Sequence, residues 1–422
     1  MNNFKKINKI WNIPKSTGSY LVDQNGQRYL DFQTGNSLPL GWNNPRLYQK
    51  ISDIDISWFV NKYSISNIQT EPMFEFINNF KVKVLPSDNS LYNPYHTNYP
   101  YLYLSDCYSL AVENALKITN DWKNQIIYSN NIQENLEILS FNGAFHGTSE
   151  YIMSITNKDN SVLNNPDKYT KWTKFDTPYR IQNQYQTKRE DIVLSKIRQY
   201  FKCCSRIIAG IIIEPVQWMN GNRFLSQRFL TELQKLCNEF SVLFILDEVN
   251  TGFYTTGKQW LFQKLQLSPD IVIFSNKNQI AGFFGSERLN NFNHPQNVHF
   301  DSSFHGSLVD IIRCNAIIDI IHEDNLLDNV NKQSNYWYKE ILNLNSNLIK
   351  NVHCCGSLMS FELPSQFHVN SLLKLLFEEY KHLVLSYDTQ SIQFNTSLSV
   401  TSNDIQKSLD YLSNSLKIIN KF

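Results

Sequence analysis

An aspartate and a lysine, thirty positions apart, are the residues of this chain whose types and setting could do chemistry. Asp247 closes the apolar run Val242 to Leu246, and Lys277 lies just past a second run, Asp270 to Ser275. A lysine amine can form a Schiff base with an aldehyde. A carboxylate can hold a pyridine nitrogen protonated, which turns the ring into an electron sink. Together they describe a site for pyridoxal 5′-phosphate. The two residues alone leave a structural ion pair at a sheet edge equally open.

The elements that must position them follow from the pattern. Short apolar runs bounded by polar turns read as buried parallel strands. Trp260 to Leu265 reads as part of a helix between them. In open α/β sheets ligands sit at the carboxyl ends of the strands, so this strand–helix–strand unit brings Asp247 and Lys277 to one pocket.

Composition bounds the rest. With 422 residues, 42% of them hydrophobic and 18% charged, the chain is long enough for two or three domains and is globular rather than disordered. A net charge of +1 gives no electrostatic case for nucleic acid. None of the seven cysteines forms a C-x-x-C pair, so neither a metal site nor a disulfide framework is expected, and reduced thiols in the cytoplasm are the simpler reading. The N-terminus lacks the apolar segment of a signal peptide, and the run Ile207 to Ile213 is too short to span a bilayer.

Along the chain, Gly18 to Phe32 reads as a hairpin about Asn25-Gly26, a type I′ turn signal. Gln33 to Trp42 reads as loop. Thr70-Glu71-Pro72 starts a helix with Met73, Phe76, Ile77 and Phe80 facing the core. Ser87 to Tyr103 reads as a loop leading into a strand. Asp106 to Ser109 precedes a helix whose buried face holds Val112, Leu116, Thr119 and Trp122, with Glu113 and Lys117 as an i,i+4 pair. Further strands are expected at Ile138 to Phe141 and Ile207 to Ile213, and one long helix at Val309 to Leu327. The C-terminal segment reads as α/β, with strands near Leu358–Leu363, Leu383–Ser386 and Ile392–Asn395 and helices at Asn370–Tyr380 and Asn403–Ile419.

The stretch FILDEVNTGF followed by PDIVIFSNK resembles the core of the class-III aminotransferases, fold-type-I enzymes dependent on pyridoxal phosphate. Lysine 6-aminotransferase and 4-aminobutyrate aminotransferase are the closest look, and the resemblance covers nearly the whole chain. It implies an α/β fold: a large, mostly parallel sheet sandwiched by helices, plus a smaller C-terminal α/β lobe joined by an N-terminal meander. The corresponding boundaries are 1–55, 56–305 and 306–422. It also implies a homodimer with active sites at the interface, acting on a small amine or amino acid.

The resemblance assigns roles residue by residue. Lys277 becomes the cofactor's anchor and general base, and Asp247 the partner of its ring nitrogen. Phe145, in Gly143-Ala144-Phe145-His146-Gly147, stacks on the ring, with His146 in support. Tyr108 and Ser109 stand at the phosphate turn, where the family has Gly-Ser or Gly-Ala. Asn250 replaces a glutamine that contacts the ring hydroxyl. Ser303 replaces a threonine that reaches the phosphate of the other subunit. Glu214 lies at the pocket.

Three positions depart from the family at the substrate end. Thr148 stands where the two closest families have a carboxylate-binding Arg, Met219 where they have its gating Glu, and Asn395 where a second Arg holds the α-carboxylate. A charge-assisted hydrogen bond contributes ~1.5–3 kcal/mol, so two lost guanidinium groups weaken carboxylate binding by orders of magnitude. The expectation is an aminotransferase with altered donor and acceptor. A pyridoxal-phosphate enzyme of another outcome, decarboxylation or elimination, and a non-catalytic relative kept as a binding or scaffold protein are the alternatives.

Overall fold

The computed structural model describes residues 9–62, 70–86, 98–127, 135–156, 172–180, 185–289, 306–344 and 346–420. Its centre is a seven-stranded sheet. In spatial order the strands are Tyr101–Ser105, Ala281–Gly285, Ile271–Phe274, Leu243–Asp247, Ile208–Ile213, Glu137–Phe141 and Lys174–Phe175. Ala281–Gly285 runs antiparallel to both of its neighbours. The other adjacent pairs are parallel.

The apolar runs are uninterrupted because both sheet faces are covered. Leu243 and Ile245 join Val112, Leu116 and Trp122 of the helix Tyr108–Ile127 on one side. Phe244 and Leu246 join Phe201 of Gln186–Cys204 and Phe229 and Leu233 of Gln227–Glu239 on the other. Successive strand side chains point to opposite faces, so each five-residue strand feeds both layers.

A second, antiparallel sheet is formed by Lys350–Cys355, Leu358–Glu362 and Ser391–Asn395. Its core includes Trp337, Leu372 and Leu412, from the helices Leu326–Asn343, Gln366–Glu378 and Ser402–Ile419. A small third sheet pairs the N-terminal strands Tyr20–Val22 and Arg28–Asp31 with His382–Leu383.

Several local expectations change. The hairpin is present, but Val22 pairs with Arg28, which leaves a five-residue loop rather than a two-residue type I′ turn. Asp23 Oδ1 accepts the N–H groups of Asn25 and Gln27, both at 3.0 Å, and holds the wider loop. The helix expected after Ser109 begins at Tyr108. Glu113 accepts a hydrogen bond from the Ser149 hydroxyl instead of pairing with Lys117. Thr70 precedes the Glu71–Lys83 helix without a side-chain cap. The single helix expected at Val309 to Leu327 is two, Leu308–Glu323 and Leu326–Asn343, because Asn325 adopts φ 51° and breaks the helical path. Ser303 and residues 87–97 lie outside the described residues.

Among the described residues no helix is long and apolar enough to cross a membrane, and no group of His, Cys, Asp or Glu is arranged to hold a metal ion.

Candidate active site

Asp247 is the last residue of its strand and pairs with Ile273 in parallel register. Lys277 follows four residues beyond Ile273, in the single 3-10 turn Asn276–Asn278. That turn leaves the strand sharply, with Asn276 at φ 36° and Gln279 at φ 59°. Lys277 is 2% exposed. Its Nζ finds no hydrogen-bond partner among the described residues. Burial lowers its pKa well below the usual lysine value. A buried ammonium without an acceptor is costly, so the neutral, nucleophilic amine gains.

Asp247 is the hub of a buried network. Its Oδ2 accepts the Tyr108 hydroxyl at 2.5 Å and lies 2.7 Å from His146 Nδ1. Its Oδ1 accepts the backbone N–H of Val249 at 3.2 Å. His146 is fully buried, its own N–H is taken by Thr156 Oγ1 at 3.1 Å, and its Nε2 has no partner among the described residues. The Tyr108 hydroxyl also lies 2.8 Å from the Phe145 carbonyl oxygen. One hydroxyl hydrogen thus faces two acceptors. Burial first, then the charge of Asp247, pushes the Tyr108 phenol well above its usual pKa.

The loop carrying Phe145 turns at Gly143, φ 79°, and Gly147, φ 123°. A Cβ at Gly147 would stand 2.5 Å from Ser109 Oγ, so only glycine allows this approach. Ser109 Oγ in turn accepts the Thr148 N–H at 3.0 Å. The Phe145 ring lies 6.3 Å from Tyr108, tilted 41°, and 5.8 Å from Trp218, near-perpendicular. Trp218 continues edge-on to Tyr387 at 5.2 Å.

The structure therefore brings Asp247, His146, Tyr108, Phe145 and Glu214 into one network, with Ser109 and Thr148 joined beside Gly147. Asn250 is buried with both amide atoms unpartnered among the described residues. Asn395 is buried in the same condition. Two residues before it, Gln393 donates from Nε2 to the Trp218 carbonyl at 2.8 Å, so this edge of the second sheet meets the Phe145 end of the first. Met219 is buried next to Trp218, and Thr148 is exposed. Sequence reasoning missed the Phe145–Trp218–Tyr387 wall. Trp218, adjacent to a departure from the family pattern, was its only local signal.

These residues fit a pyridine ring that carries an aldehyde and a hydroxyl. Among the orphaned polar atoms are an amine, Lys277 Nζ, and an amide, Asn250, which suit the aldehyde and the ring hydroxyl. Asp247 supplies a buried carboxylate and Phe145 an aromatic ring beside it. Tyr108 and His146 both stand on Asp247 Oδ2, the carboxylate that would meet a ring nitrogen.

Comparison with known proteins agrees. The class-III aminotransferase family model matches residues 3–416. The chain is 30% identical to the L-lysine-epsilon aminotransferase of Streptomyces clavuligerus, over 97% of this chain and 91% of that protein. It is 27% identical to the mitochondrial 4-aminobutyrate aminotransferase of Homo sapiens, over 94% and 82% of the two chains. The solved lysine aminotransferase of Mycobacterium tuberculosis, in its internal aldimine form, superposes with a TM-score of 0.89 at 28% identity, covering 99% of this chain and 96% of that one. This chain belongs to the class-III aminotransferases, fold-type-I enzymes whose cofactor is pyridoxal 5′-phosphate.

Proposed function

We propose that this aminotransferase keeps the family's bond-making residues but recognises a donor and an acceptor that are not gripped by paired guanidinium groups. When bound, pyridoxal phosphate supplies an aldehyde carbon and an electron-accepting ring. Lys277 would hold the aldehyde carbon through its amine and, as a free base, would move the proton at the substrate carbon that bears the amine. Its depressed pKa suits both tasks, because each needs the neutral amine. Asp247 would hold the ring nitrogen protonated, and His146, 2.7 Å away, orients that carboxylate. Phe145 would support the ring and Asn250 its hydroxyl. The Tyr108 backbone and Ser109 would hold the phosphate end, joined by Ser303 of a second copy in a homodimer. Glu214 lines the pocket and positions Phe145 through its backbone N–H. All seven cysteines are free thiols, which suits a cytoplasmic enzyme.

The observation that carries the altered specificity is the neutral set at the substrate end. Thr148, Met219 and Asn395 bear no charge, and the neighbouring wall is aromatic, with Trp218 against Phe145 and Tyr387. Such a surface favours a substrate with an apolar or neutral polar body over a dicarboxylate. The test loads the purified enzyme, converts it to the amine form, and follows its return with 2-oxoglutarate and with neutral aldehydes and ketones. Slow return with 2-oxoglutarate, even at millimolar concentration, is expected. Rapid return at micromolar 2-oxoglutarate would overturn this specificity.

A further inference from the structure

The Tyr108 hydroxyl is a donor to Asp247, the same carboxylate that a ring nitrogen would use. Its oxygen lies 2.5 Å from Asp247 Oδ2, which also meets His146 Nδ1 at 2.7 Å. A carboxylate oxygen has two lone-pair sites, so Oδ2 is saturated. Oδ1 accepts one bond, from the Val249 N–H at 3.2 Å, and keeps one lone-pair site. No further donor joins Oδ2 unless one of these partners leaves. His146 is fully buried and fixed by its backbone bond to Thr156. Tyr108 is the partner able to move. It sits at the first residue of the Tyr108–Ile127 helix, and its hydroxyl has a second acceptor, the Phe145 carbonyl at 2.8 Å.

We infer that Tyr108 is a built-in occupant of the cofactor site, whose hydroxyl competes with the ring nitrogen of pyridoxal phosphate for Asp247. In the cofactor-free chain it adds a third donor to a buried carboxylate, beside His146 and the Val249 N–H, which stabilises that state. The same bond opposes loading, because the energy of the Tyr108–Asp247 contact is subtracted from that of the ring–Asp247 contact. The Phe145 carbonyl offers the displaced hydroxyl an acceptor within a short movement. Loading is therefore weaker and slower than the intact lysine and carboxylate alone would give.

The inference rests on the cofactor reading above, and the experiment separates the two. Wild type, Tyr108→Phe and Tyr108→Gly are titrated with pyridoxal phosphate. Binding is followed by the visible absorbance band and by borohydride trapping on Lys277, located by mass spectrometry. Tyr108→Phe keeps the ring and removes the hydroxyl. Both variants are expected to bind at least about tenfold more tightly than wild type, the lower end of what one charge-assisted hydrogen bond supplies. A gain in Tyr108→Gly without one in Tyr108→Phe means that bulk, not the bond to Asp247, obstructs the site, and the inference falls. Equal binding by all three overturns it and leaves the cofactor reading standing. Failure of all three to bind overturns both.

Discussion

Glu214 Oε2 accepts the backbone N–H of Phe145 at 2.9 Å, while its Oε1 finds no partner among the described residues. Glu214 is 2% exposed. Burial first, and the Asp247 charge second, raise its pKa well above the ordinary 4.5. The acid is thus held protonated over a range in which the unfolded chain would release it. A group with a raised folded pKa stabilises the fold most below its unfolded value, and that contribution is lost as pH rises through the folded value. Glu214→Gln mimics the protonated acid and keeps the acceptor for Phe145. The melting temperature of the variant, relative to wild type, should climb as pH increases above 4.5. Thermal melts across that range check it, and a difference independent of pH would contradict a protonated Glu214.

Lys277 should cost the cofactor-free fold stability. Its amine is buried and unpaired among the described residues, a condition worth about 1–3 kcal/mol against the folded state. Lys277→Met has similar length and no polar atom. We expect it to raise stability by that amount in chemical denaturation without cofactor, and to abolish borohydride-trapped adducts. Lower stability in the variant would show that the amine has a partner.

The acid limb should report on His382. This side chain is fully enclosed, with Nδ1 2.9 Å from the Leu30 carbonyl and Nε2 2.8 Å from Ser408 Oγ. Burial lowers its pKa from 6.5 to about 4. A lowered folded pKa means that the unfolded chain binds the proton first. Stability is therefore full above 6.5 and is lost as pH falls toward 4. The shift corresponds to roughly 3 kcal/mol at most. Denaturation midpoints of His382→Gln should fall less steeply than those of wild type across this window. Parallel curves would place the acid sensitivity elsewhere.

Thr148 is exposed, so an arginine there adds a guanidinium without burying one. If the neutral substrate end is what disfavours dicarboxylates, Thr148→Arg should raise the single-turnover rate with subsaturating 2-oxoglutarate by about tenfold, one charge-assisted pair at the low end. An unchanged rate, with the variant fully loaded, would mean that acceptor choice is set at other residues.

Much of the frame was legible in the residues. The runs ending at Asp247 and before Lys277 form adjacent parallel strands, and the two glycines flanking Phe145 do turn its loop. The helix break at Asn325 was not legible, because the apolar spacing runs through it and a single left-handed residue leaves no periodic trace. The Glu113–Lys117 pairing was misjudged for a different reason. Ser149, far along the chain, offers Glu113 a hydroxyl that helix spacing cannot reveal.

The sequence by itself determined the sheet, the lysine and acid at its carboxyl edge, and the neutral side chains of Thr148, Met219 and Asn395. Each follows from residue identity or from burial patterns between near neighbours. Only the tertiary structure decided that Tyr108 meets Asp247 across 139 positions, and that Trp218 stands against Phe145. A buried carboxylate binds whichever donors the folded chain brings within about 3 Å, and that choice is made by convergence in space, which no local pattern encodes.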